Sequence, residues 1–307
     1  MSIPPPDGLP LLVGVDAGAS HCSVVIGRED LRVLGRAEGP AAAMKPGGAA
    51  AAAAVIADTA RRAAGDVLLP AAHAVIGAAG AGRSQEQADL ARAVIAAGVA
   101  ETVRVLPDGE VALRAAFAEG VGIIVNAGTG SVAFARDPAG GMHRSGGHGW
   151  QFGDEGGGYW LGRRALDAAA RAQDGRAEGS TLLARLLGAL GLRQFDDLVR
   201  WGTTATPAQV AALAPHVLNA ASEGEAIARR TVTDAAEELA GLAVALARHF
   251  PGSGPIAVAA TGGLVNPASA LTTALRDALA VQLPRAELST RHIDLALGAL
   301  ALAAAAR

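Results

Sequence analysis

The sequence predicts an α/β protein built from two similar domains, and three observations support this prediction. The chain has 307 residues, which is enough for two domains that each bury a core. Short apolar segments of strand length alternate with alanine-rich segments of helix length. A strand, turn and strand unit also occurs twice, beginning at Leu11 and again near Val121. Two such units are expected to face one another, with a ligand at the seam.

The first half is predicted to begin as a meander of strands. LLVGVD at 11–16 is a short apolar segment bounded by turn residues, SVVIG at 23–27 is a second, and residues 31–37 form a third. The alanine-rich segment 49–64 favours a helix by propensity. The other elements predicted in this half are a strand at 73–80, a helix from 84 to about 97, a strand at TVRVL and a helix from about 111 to 119.

The second half repeats this opening and then becomes largely helical. VGIIVNAGTGSVAFAR, which begins at Val121, reads as a strand, a glycine turn and another strand. A strand is also predicted at 257–260, directly before TGGLVNP. The helices predicted in this half are 159–173, 181–190, about 225–249, one after TGGLVNP and a last one at the end of the chain.

The composition excludes several kinds of site. Cys22 is the only cysteine, so one chain cannot form an internal disulfide, a thiolate zinc site or a cysteine-ligated iron–sulfur cluster. Lys45 is the only lysine, and the P-loop pattern, which needs a lysine after its second glycine, is absent. The net charge of −3, without clustered basic residues, predicts no nucleic-acid partner.

The hydropathy pattern predicts no membrane partner. No window approaches the roughly 18 to 20 consecutive large apolar residues that a membrane span requires. The N-terminal MSIPPPDGLP lacks a basic region followed by an apolar one, so a secretory signal is not expected. We therefore predict a cytoplasmic protein, and the oligomeric state, a homodimer among the options, stays open.

Two glycine turns stand at matching places in the duplicated unit. DAGAS at 16–20 and NAGTGS at 126–131 each follow one apolar strand and precede another. Small residues in such a turn let backbone N–H groups approach an anion, and hydroxyl groups add donors. Either turn alone could be a simple hairpin, but their repetition predicts phosphate binding. The residues expected to contact the phosphates are Gly18, Ser20, Gly128, Thr129, Gly130 and Ser131.

Two aspartates that follow strands are candidates for phosphoryl chemistry. A carboxylate at Asp16 could hold Mg²⁺ beside nucleotide phosphates, or could cap the turn. Asp108 lies between a strand and a helix, where it could be a general base or a helix N-cap. The carboxyl ends of strands face the ligand crevice in an open α/β sheet, which favours the base. Glu110 is better explained as charge in the first helical turn.

Two further glycine-rich stretches are candidate binding segments. In ATGGLVNP, Gly262 and Gly263 could let a flat ring lie against the backbone, or could serve close packing of a strand on a helix. GGHGWQFGDEGGGYW at 146–160 combines bare backbone with Asp154 and a cluster of aromatic residues. These aromatic side chains could line a ligand cleft or fill the core beneath it. The histidines show no metal-ligand spacing, and no Gly-x-Ser-x-Gly elbow of a hydrolase is present.

Taken in chain order, these motifs resemble the sugar kinase and actin-like ATPase superfamily. Within it they resemble the N-acetylglucosamine kinase branch, which is shared with activator ATPases of the benzoyl-CoA reductase type. GVDAGAS is similar to the first phosphate motif, NAGTGS to the second and ATGGLVNP to the adenosine motif. GDEGGGYWLGRRAL is similar to the branch signature GDEGS-x-YW-x-G and is the most specific match.

The resemblance covers essentially the whole chain and implies two ribonuclease-H-like domains, of the actin-like ATPase kind, with an interdomain cleft. The domains would be 1–119 and 120–292, with a last helix at about 293–307 packing back on the first. ATP with Mg²⁺ at Asp16 would lie across them, and Asp108 would deprotonate the acceptor hydroxyl. Ala221 would fall on a nucleotide contact. The residues that would line the sugar are Gly147, His148, Gly149 and Asp154.

The resemblance implies an ATP-dependent kinase that converts an amino sugar, N-acetylglucosamine before others, to its 6-phosphate. Glucosamine or a related amino sugar is the first alternative, followed by an ATPase activator and a non-catalytic sugar sensor. Some residues depart from the family pattern. His21 replaces the basic residue of the first phosphate motif, the segment GPAAAMKPGG lacks a sugar-holding asparagine, and His148 replaces a tryptophan. The acceptor is therefore less firmly predicted than the reaction.

Overall fold

The fold is α/β, as predicted, and contains two five-stranded sheets. The computed structural model describes residues 9–117, 119–176 and 180–305. The chain divides into two compact units. Unit 1 comprises Met1–Gly120 together with Ile293–Arg307, and unit 2 comprises Val121–His292.

The elements follow one another in three groups along the chain. The first group belongs to unit 1 and consists of β1 (Leu11–Ala17), β2 (His21–Arg28), β3 (Val33–Pro40), α1 (Ala49–Ala64), β4 (Ala71–Ala78), α2 (Ser84–Ala96), β5 (Ala100–Pro107) and α3 (Asp108–Ala116). Unit 2 consists of β6 (Gly122–Ala127), β7 (Ser131–Arg136), β8 (Met142–Gly146), α4 (Gly158–Gln173), α5 (Leu182–Leu190), α6 (Phe195–Thr204), α7 (Pro207–Ala211), α8 (Ala214–Ser222), α9 (Ala226–Ala247), β9 (Ile256–Thr261), α10 (Ala270–Gln282) and β10 (Ala286–Ser289). The last helix, α11 (Leu295–Ala305), returns to unit 1.

The two sheets have the same topology, which confirms the duplication predicted from the two glycine turns. Unit 1 has the strand order β3-β2-β1-β4-β5, and unit 2 has the equivalent order β8-β7-β6-β9-β10. In each sheet the strand before the glycine turn lies at the centre. β1 pairs antiparallel with β2 and parallel with β4, and β6 pairs antiparallel with β7 and parallel with β9. Each turn therefore lies at the carboxyl end of a central strand.

Helices cover both faces of the sheet in unit 1, so its central strand is almost entirely apolar. Val13 and Val15 of β1 point into a cluster shared with α1 and α2, whereas Leu12 points into a second cluster formed with α11. A Cβ atom at Gly14 would lie 2.2 Å from the carbonyl oxygen of Ala296. Glycine at this position lets α11 lie directly on the strand.

The core of unit 2 is built around the long helix α9. Its buried face includes Ala235, Ala236, Leu239 and Ala240, and it packs against β6, β7 and β8. Small alanine side chains on this face let the helix approach the strands closely. Among the helices in the described part of the chain, none combines the length and apolar character needed to span a bilayer.

Candidate active site

Asp16 and Asp108 lie at the same edge of the unit 1 sheet. Asp16 is near the carboxyl end of β1, and Asp108 follows β5 directly as the first residue of α3. The intervening strand β4 is parallel to both. Carboxyl ends of parallel strands meet at one edge of a sheet, where α/β proteins bind ligands. The negative charge of Asp108 also reaches Asp16, where it contributes to a raised pKa.

The Asp16 carboxyl group is held in an environment that disfavours its charge. Burial raises its pKa from the ordinary value of 3.8 to about 6, and its side chain is only 15% exposed. The nearby charge of His21, 3.9 Å away, lowers the pKa, whereas those of Asp108, Glu38 and Asp294 raise it further. A cation bound at this place would therefore relieve an electrostatic penalty.

Asp108 is the first residue of α3, and the N-cap position is taken by Pro107, so Asp108 is not the N-cap. Its Oδ1 atom accepts a hydrogen bond of 2.8 Å from the amide of Gly109. The side chain is partly buried at the sheet edge. Glu110 lies 3.9 Å from Arg104 in an ion pair, which agrees with a surface role for that acid. The Gly109 amide therefore orients the Asp108 carboxylate at the sheet edge.

The first glycine turn has the backbone of a hairpin. The Gly18 amide donates to the carbonyl of His21 over 3.0 Å, and the Gly18 carbonyl accepts from Ala42 over 3.1 Å. The hydroxyl of Ser20 lies 3.1 Å from Nδ1 of His21, and both residues are exposed. These exposed polar groups lie beside Asp16, so this turn offers a surface for phosphate next to the buried carboxylate.

The second glycine turn is joined by hydrogen bonds to the acid-containing stretch that follows it. The Gly158 and Tyr159 amides each donate over 2.8 Å, to the carbonyls of Gly128 and Thr129 respectively. The buried Ser131 hydroxyl donates to the carbonyl of Glu155 over 2.6 Å. The side chain of Thr129 remains exposed. These contacts fix the GDEGGGYW stretch against the turn.

Asp154 lies directly against this second turn. A Cβ atom at Gly130 would be only 2.1 Å from Oδ2 of Asp154, so no larger residue fits there without displacing the carboxylate. The backbone of Asp154 has a φ of 65°, which is uncommon for a residue other than glycine. Such strained conformations persist where the surroundings determine them and cluster at functional sites.

The third glycine segment meets the second turn at the carboxyl edge of the unit 2 sheet. Thr261 of β9 is in register with Asn126 of β6. Gly262 has a φ of 103°, and a Cβ atom there would lie 2.4 Å from the carbonyl oxygen of Ala127. Gly263 is exposed and faces open space. Ala221 is different, because its side chain is buried in α8 within the core of unit 2.

The glycine run that follows β8 is shaped by an arginine that sequence reasoning missed. Gly146, Gly147 and Gly149 all have positive φ angles, and His148 between them is exposed. Arg144 donates from Nε to the carbonyl of Gly146 over 3.0 Å and from its terminal nitrogen to the carbonyl of Gly147. No motif marks Arg144, because both of its partners are backbone atoms.

The resemblance of the motifs implies that this glycine run lines an acceptor sugar. We therefore expect Arg144→Met to raise the KM for that sugar by about tenfold and to change kcat much less, because two charge-assisted hydrogen bonds that hold the glycine run are lost. Steady-state kinetics with the sugar and ATP varied separately check this prediction. Arg144→Lys should recover part of the loss. Arg200→Met, which removes an exposed arginine paired with Asp197 on α6, is the control. A higher KM for ATP with an unchanged KM for the sugar would contradict the positioning role.

The aromatic residues of the 146–160 stretch divide between surface and interior. Phe152 is 83% exposed and Trp150 is 43% exposed, whereas Trp160 packs against the unit 2 core. The rings of Trp150 and Tyr159 lie 5.0 Å apart. Both rings line a cavity of about 440 Å³, whose other walls come from α4, α6 and α7. Neither glycine turn contributes to that lining, so this cavity lies beside the candidate site.

Asp16 is the residue predicted to hold Mg²⁺. Among the described residues, no group of three or more His, Cys, Asp or Glu side chains has an arrangement that could hold a metal ion by itself. Mg²⁺ in nucleotide sites commonly takes only one or two carboxylates, with waters and substrate phosphates as its other ligands. Asp16, with its raised pKa, fits that mode of binding.

The motifs and the fold agree with one family of ATPases. The family model of the BadF/BadG/BcrA/BcrD ATPase family matches residues 13–303. The chain belongs to this family. The resemblance predicted from the motifs is thereby confirmed, and membership of the BadF/BadG/BcrA/BcrD ATPase family implies that ATP is used.

Curated relatives of this BadF/BadG/BcrA/BcrD family member include two sugar kinases. The chain is 31% identical over 231 residues to the N-acetylmuramic acid/N-acetylglucosamine kinase of Clostridium acetobutylicum, with 74% of this chain and 76% of that protein covered. It is 28% identical over 193 residues to the N-acetyl-D-glucosamine kinase of Dictyostelium discoideum, with 59% of each covered.

Solved structures with the same fold include further kinases. A structure from Chromobacterium violaceum, provisionally named as an N-acetylglucosamine kinase, is 32% identical, with a TM-score of 0.79 over 96% of this chain and 99% of that one. A ROK family glucokinase from Streptomyces griseus, solved with glucose and AMPPNP, is 17% identical, with a TM-score of 0.63 over 95% and 99%. The similarity to the Streptomyces griseus glucokinase shows the fold alone.

Proposed function

We propose that this protein is an ATP-dependent kinase that phosphorylates an amino sugar, with N-acetylglucosamine as the leading acceptor and its 6-hydroxyl as the reacting group. The observation that carries this proposal is the placement of Asp16 and Asp108 at one edge of the unit 1 sheet, with an electrostatic interaction between them. The kinase names of the curated relatives from Clostridium and Dictyostelium support it.

Unit 1 supplies the acid and base chemistry in this proposal. The acceptor oxygen attacks the γ-phosphorus of ATP, the bond from that phosphorus to the β-γ bridging oxygen breaks, and ADP leaves. Asp108 takes the proton of the acceptor hydroxyl, which its orientation by the Gly109 amide permits. Asp16 would hold Mg²⁺, which neutralises phosphate charge when bound. The exposed Ser20 hydroxyl would contact a phosphate oxygen.

Unit 2 supplies backbone surfaces for both substrates. The exposed Thr129 with Gly128 and Gly130 would contact the phosphates, and Gly262 and Gly263 would lie against the adenosine. Because the Ser131 hydroxyl is engaged with Glu155, its contribution would be to hold this turn in place. The side chain of Ala221 is buried, so this residue would affect nucleotide binding only by fixing the position of α8. The sugar would lie on the run Gly147, His148 and Gly149, with Asp154 accepting from its hydroxyl groups.

The alternative function, that of a redox activator ATPase, fits this chain less well than the kinase function does. The iron–sulfur chemistry of such an activator would need exposed thiolates, and the single cysteine of this chain, Cys22, is fully buried in β2. Burial, with the nearby charge of Asp16 as a second cause, raises the pKa of the Cys22 thiol to about 12. A thiol in this environment is a poor metal ligand. This observation favours the kinase over the activator.

A coupled assay for ADP release tests the proposal over a panel of N-acetylglucosamine, N-acetylmuramic acid, glucosamine and glucose. We expect ADP release that depends on an amino sugar and on Mg²⁺, with little release from ATP alone. Absence of sugar-dependent release across the whole panel would refute the kinase. Binding of a sugar without any turnover would instead support the non-catalytic sensor.

A further inference from the structure

The only lysine of the chain is held at the catalytic edge of unit 1. The Ala42 amide donates to the carbonyl of Gly18, and the Met44 amide donates over 2.8 Å to the carbonyl of Ala79. A Cβ atom at Gly80 would lie 2.2 Å from the Met44 carbonyl oxygen, so the two segments are in direct contact. Lys45 follows Met44 and begins a turn in which its carbonyl accepts from Gly48.

This segment lies one strand away from the proposed base. Ala78 of β4 is in register with Pro107 of β5, so Ala79 is beside Asp108 at the ends of the two strands. Neighbouring strands are about 4.8 Å apart, and the flexible four-carbon stem of a lysine can extend over such a distance. The Lys45 backbone thus lies at the sheet edge that carries Asp108, where the acceptor would be received, and its segment also contacts the first glycine turn at Gly18.

The charges at this edge are predominantly negative. Asp16 experiences the opposing charge of His21 and the like charges of Asp108, Glu38 and Asp294. Arg36 compensates part of this charge, because it pairs with Glu38 and Asp294. The side chain of Lys45 is exposed at this edge. An acceptor that carries a negative group would be repelled by these carboxylates unless a cation met that group.

We propose that Lys45 is a specificity-determining residue that binds a carboxylate on the acceptor sugar, as in an amino sugar with a lactyl ether. This inference rests on the proposed kinase function and adds a carboxylate-bearing sugar to the acceptors that it predicts. A neutral sugar gains nothing from the Lys45 ammonium group. A sugar with a free amine is disfavoured, because its own ammonium group would approach a like charge.

Three acceptors of different charge test the inference: N-acetylmuramic acid, N-acetylglucosamine and glucosamine. Lys45→Met should lower kcat/KM for N-acetylmuramic acid by about tenfold, which is the effect of losing one charge-assisted hydrogen bond. The value for N-acetylglucosamine should stay within about twofold, and that for glucosamine should rise by a small factor. Lys45→Arg, which keeps the charge, should retain most of the activity on N-acetylmuramic acid.

Two controls make the outcomes distinguishable. Arg92→Gln removes one positive charge from an exposed site on α2, where Arg92 pairs with Asp89, and should affect the three acceptors equally. Thermal unfolding of Lys45→Met should match the wild type, since the side chain is exposed. An equal loss on all three sugars would overturn the inference and assign Lys45 to the phosphates of ATP. If the wild-type protein phosphorylates N-acetylglucosamine but not N-acetylmuramic acid, the inference about Lys45 is wrong and the kinase function stands. If no sugar is phosphorylated, the kinase function itself is refuted.

Discussion

Asp108→Asn is expected to lower kcat for the amino sugar by about two orders of magnitude or more, because it removes the group that accepts the hydroxyl proton. Asparagine keeps an oxygen that can accept from the Gly109 amide, so the start of α3 should remain intact. The KM for ATP and the melting temperature should change little. Stopped-flow or steady-state ADP release, with thermal unfolding of the same sample, measures these quantities.

Glu110→Gln is the matched control for this variant. Glu110 is also an acid in the first turn of α3, but its contact is an ion pair with Arg104, 3.9 Å away. It should keep close to normal turnover. Near-normal turnover in Asp108→Asn, or an equal loss in both variants, would mean that Asp108 is not the base.

Asp16→Asn is expected to abolish Mg²⁺-dependent turnover and, in metal-free protein, to increase stability above neutral pH. The folded-state pKa of about 6 is higher than the ordinary value of 3.8, so folding favours the neutral carboxyl group. The stability that the folded state gains from the neutral Asp16 carboxyl group is fully present below the unfolded pKa and is lost as the pH rises through about 6. At about pH 8 the shift corresponds to a penalty of about 3 kcal/mol, which asparagine would not incur.

Urea unfolding of both proteins in EDTA, at about pH 8 and about pH 4, measures this difference. The stability gain of Asp16→Asn should be present at the higher pH and should be much smaller at the lower one, where the carboxyl group of the folded wild type is itself largely protonated. Addition of Mg²⁺ with a nucleotide should stabilise the wild type more than the variant. A variant that is less stable than the wild type at both pH values, or that keeps Mg²⁺-dependent turnover, would contradict this account of Asp16.

Much of the sheet architecture could be predicted, because it depends on patterns that are local in sequence. The apolar strands β1 and β6, each followed by a glycine turn, indicated a duplicated unit, and the two sheets have equivalent strand orders. The edge strands β8 and β10 were missed. β8, with the sequence MHRSG, has no fully buried residue, so its pairing with β7 leaves little apolar pattern to detect.

The start of α3 was also predicted too late, because Pro107 and Asp108 are typical of a turn or cap. The structure begins the helix at Asp108, so that the candidate base sits at a helix N-terminus. Boundaries of this kind depend on one or two residues and are decided by the neighbouring strand and helix.

The motif residues of the candidate site can be recognised in the sequence. The contacts between these residues depend on the fold and cannot be read from the sequence. The glycines and acids of the four motifs can be named from the sequence, and their roles stay predictions. The close approach of Asp154 to Gly130 cannot be predicted, because it arises from two segments that meet only after folding. Arg144 acts through hydrogen bonds from its side chain to main-chain carbonyls, and Lys45 is placed by hydrogen bonds between main-chain atoms. Neither kind of contact carries a sequence signature. Longer-range packing therefore decides which of the available polar groups reach a substrate.

The most direct test of the central claim is the phosphorus NMR spectrum of the product after incubation of the protein with ATP, Mg²⁺ and N-acetylglucosamine. We expect a new phosphomonoester resonance split into a triplet by the two protons on carbon 6, together with ADP, and both signals should appear about a hundredfold more slowly, or not at all, with Asp108→Asn. A doublet from the anomeric proton would contradict the predicted hydroxyl. Inorganic phosphate and ADP without any sugar phosphate would contradict the kinase.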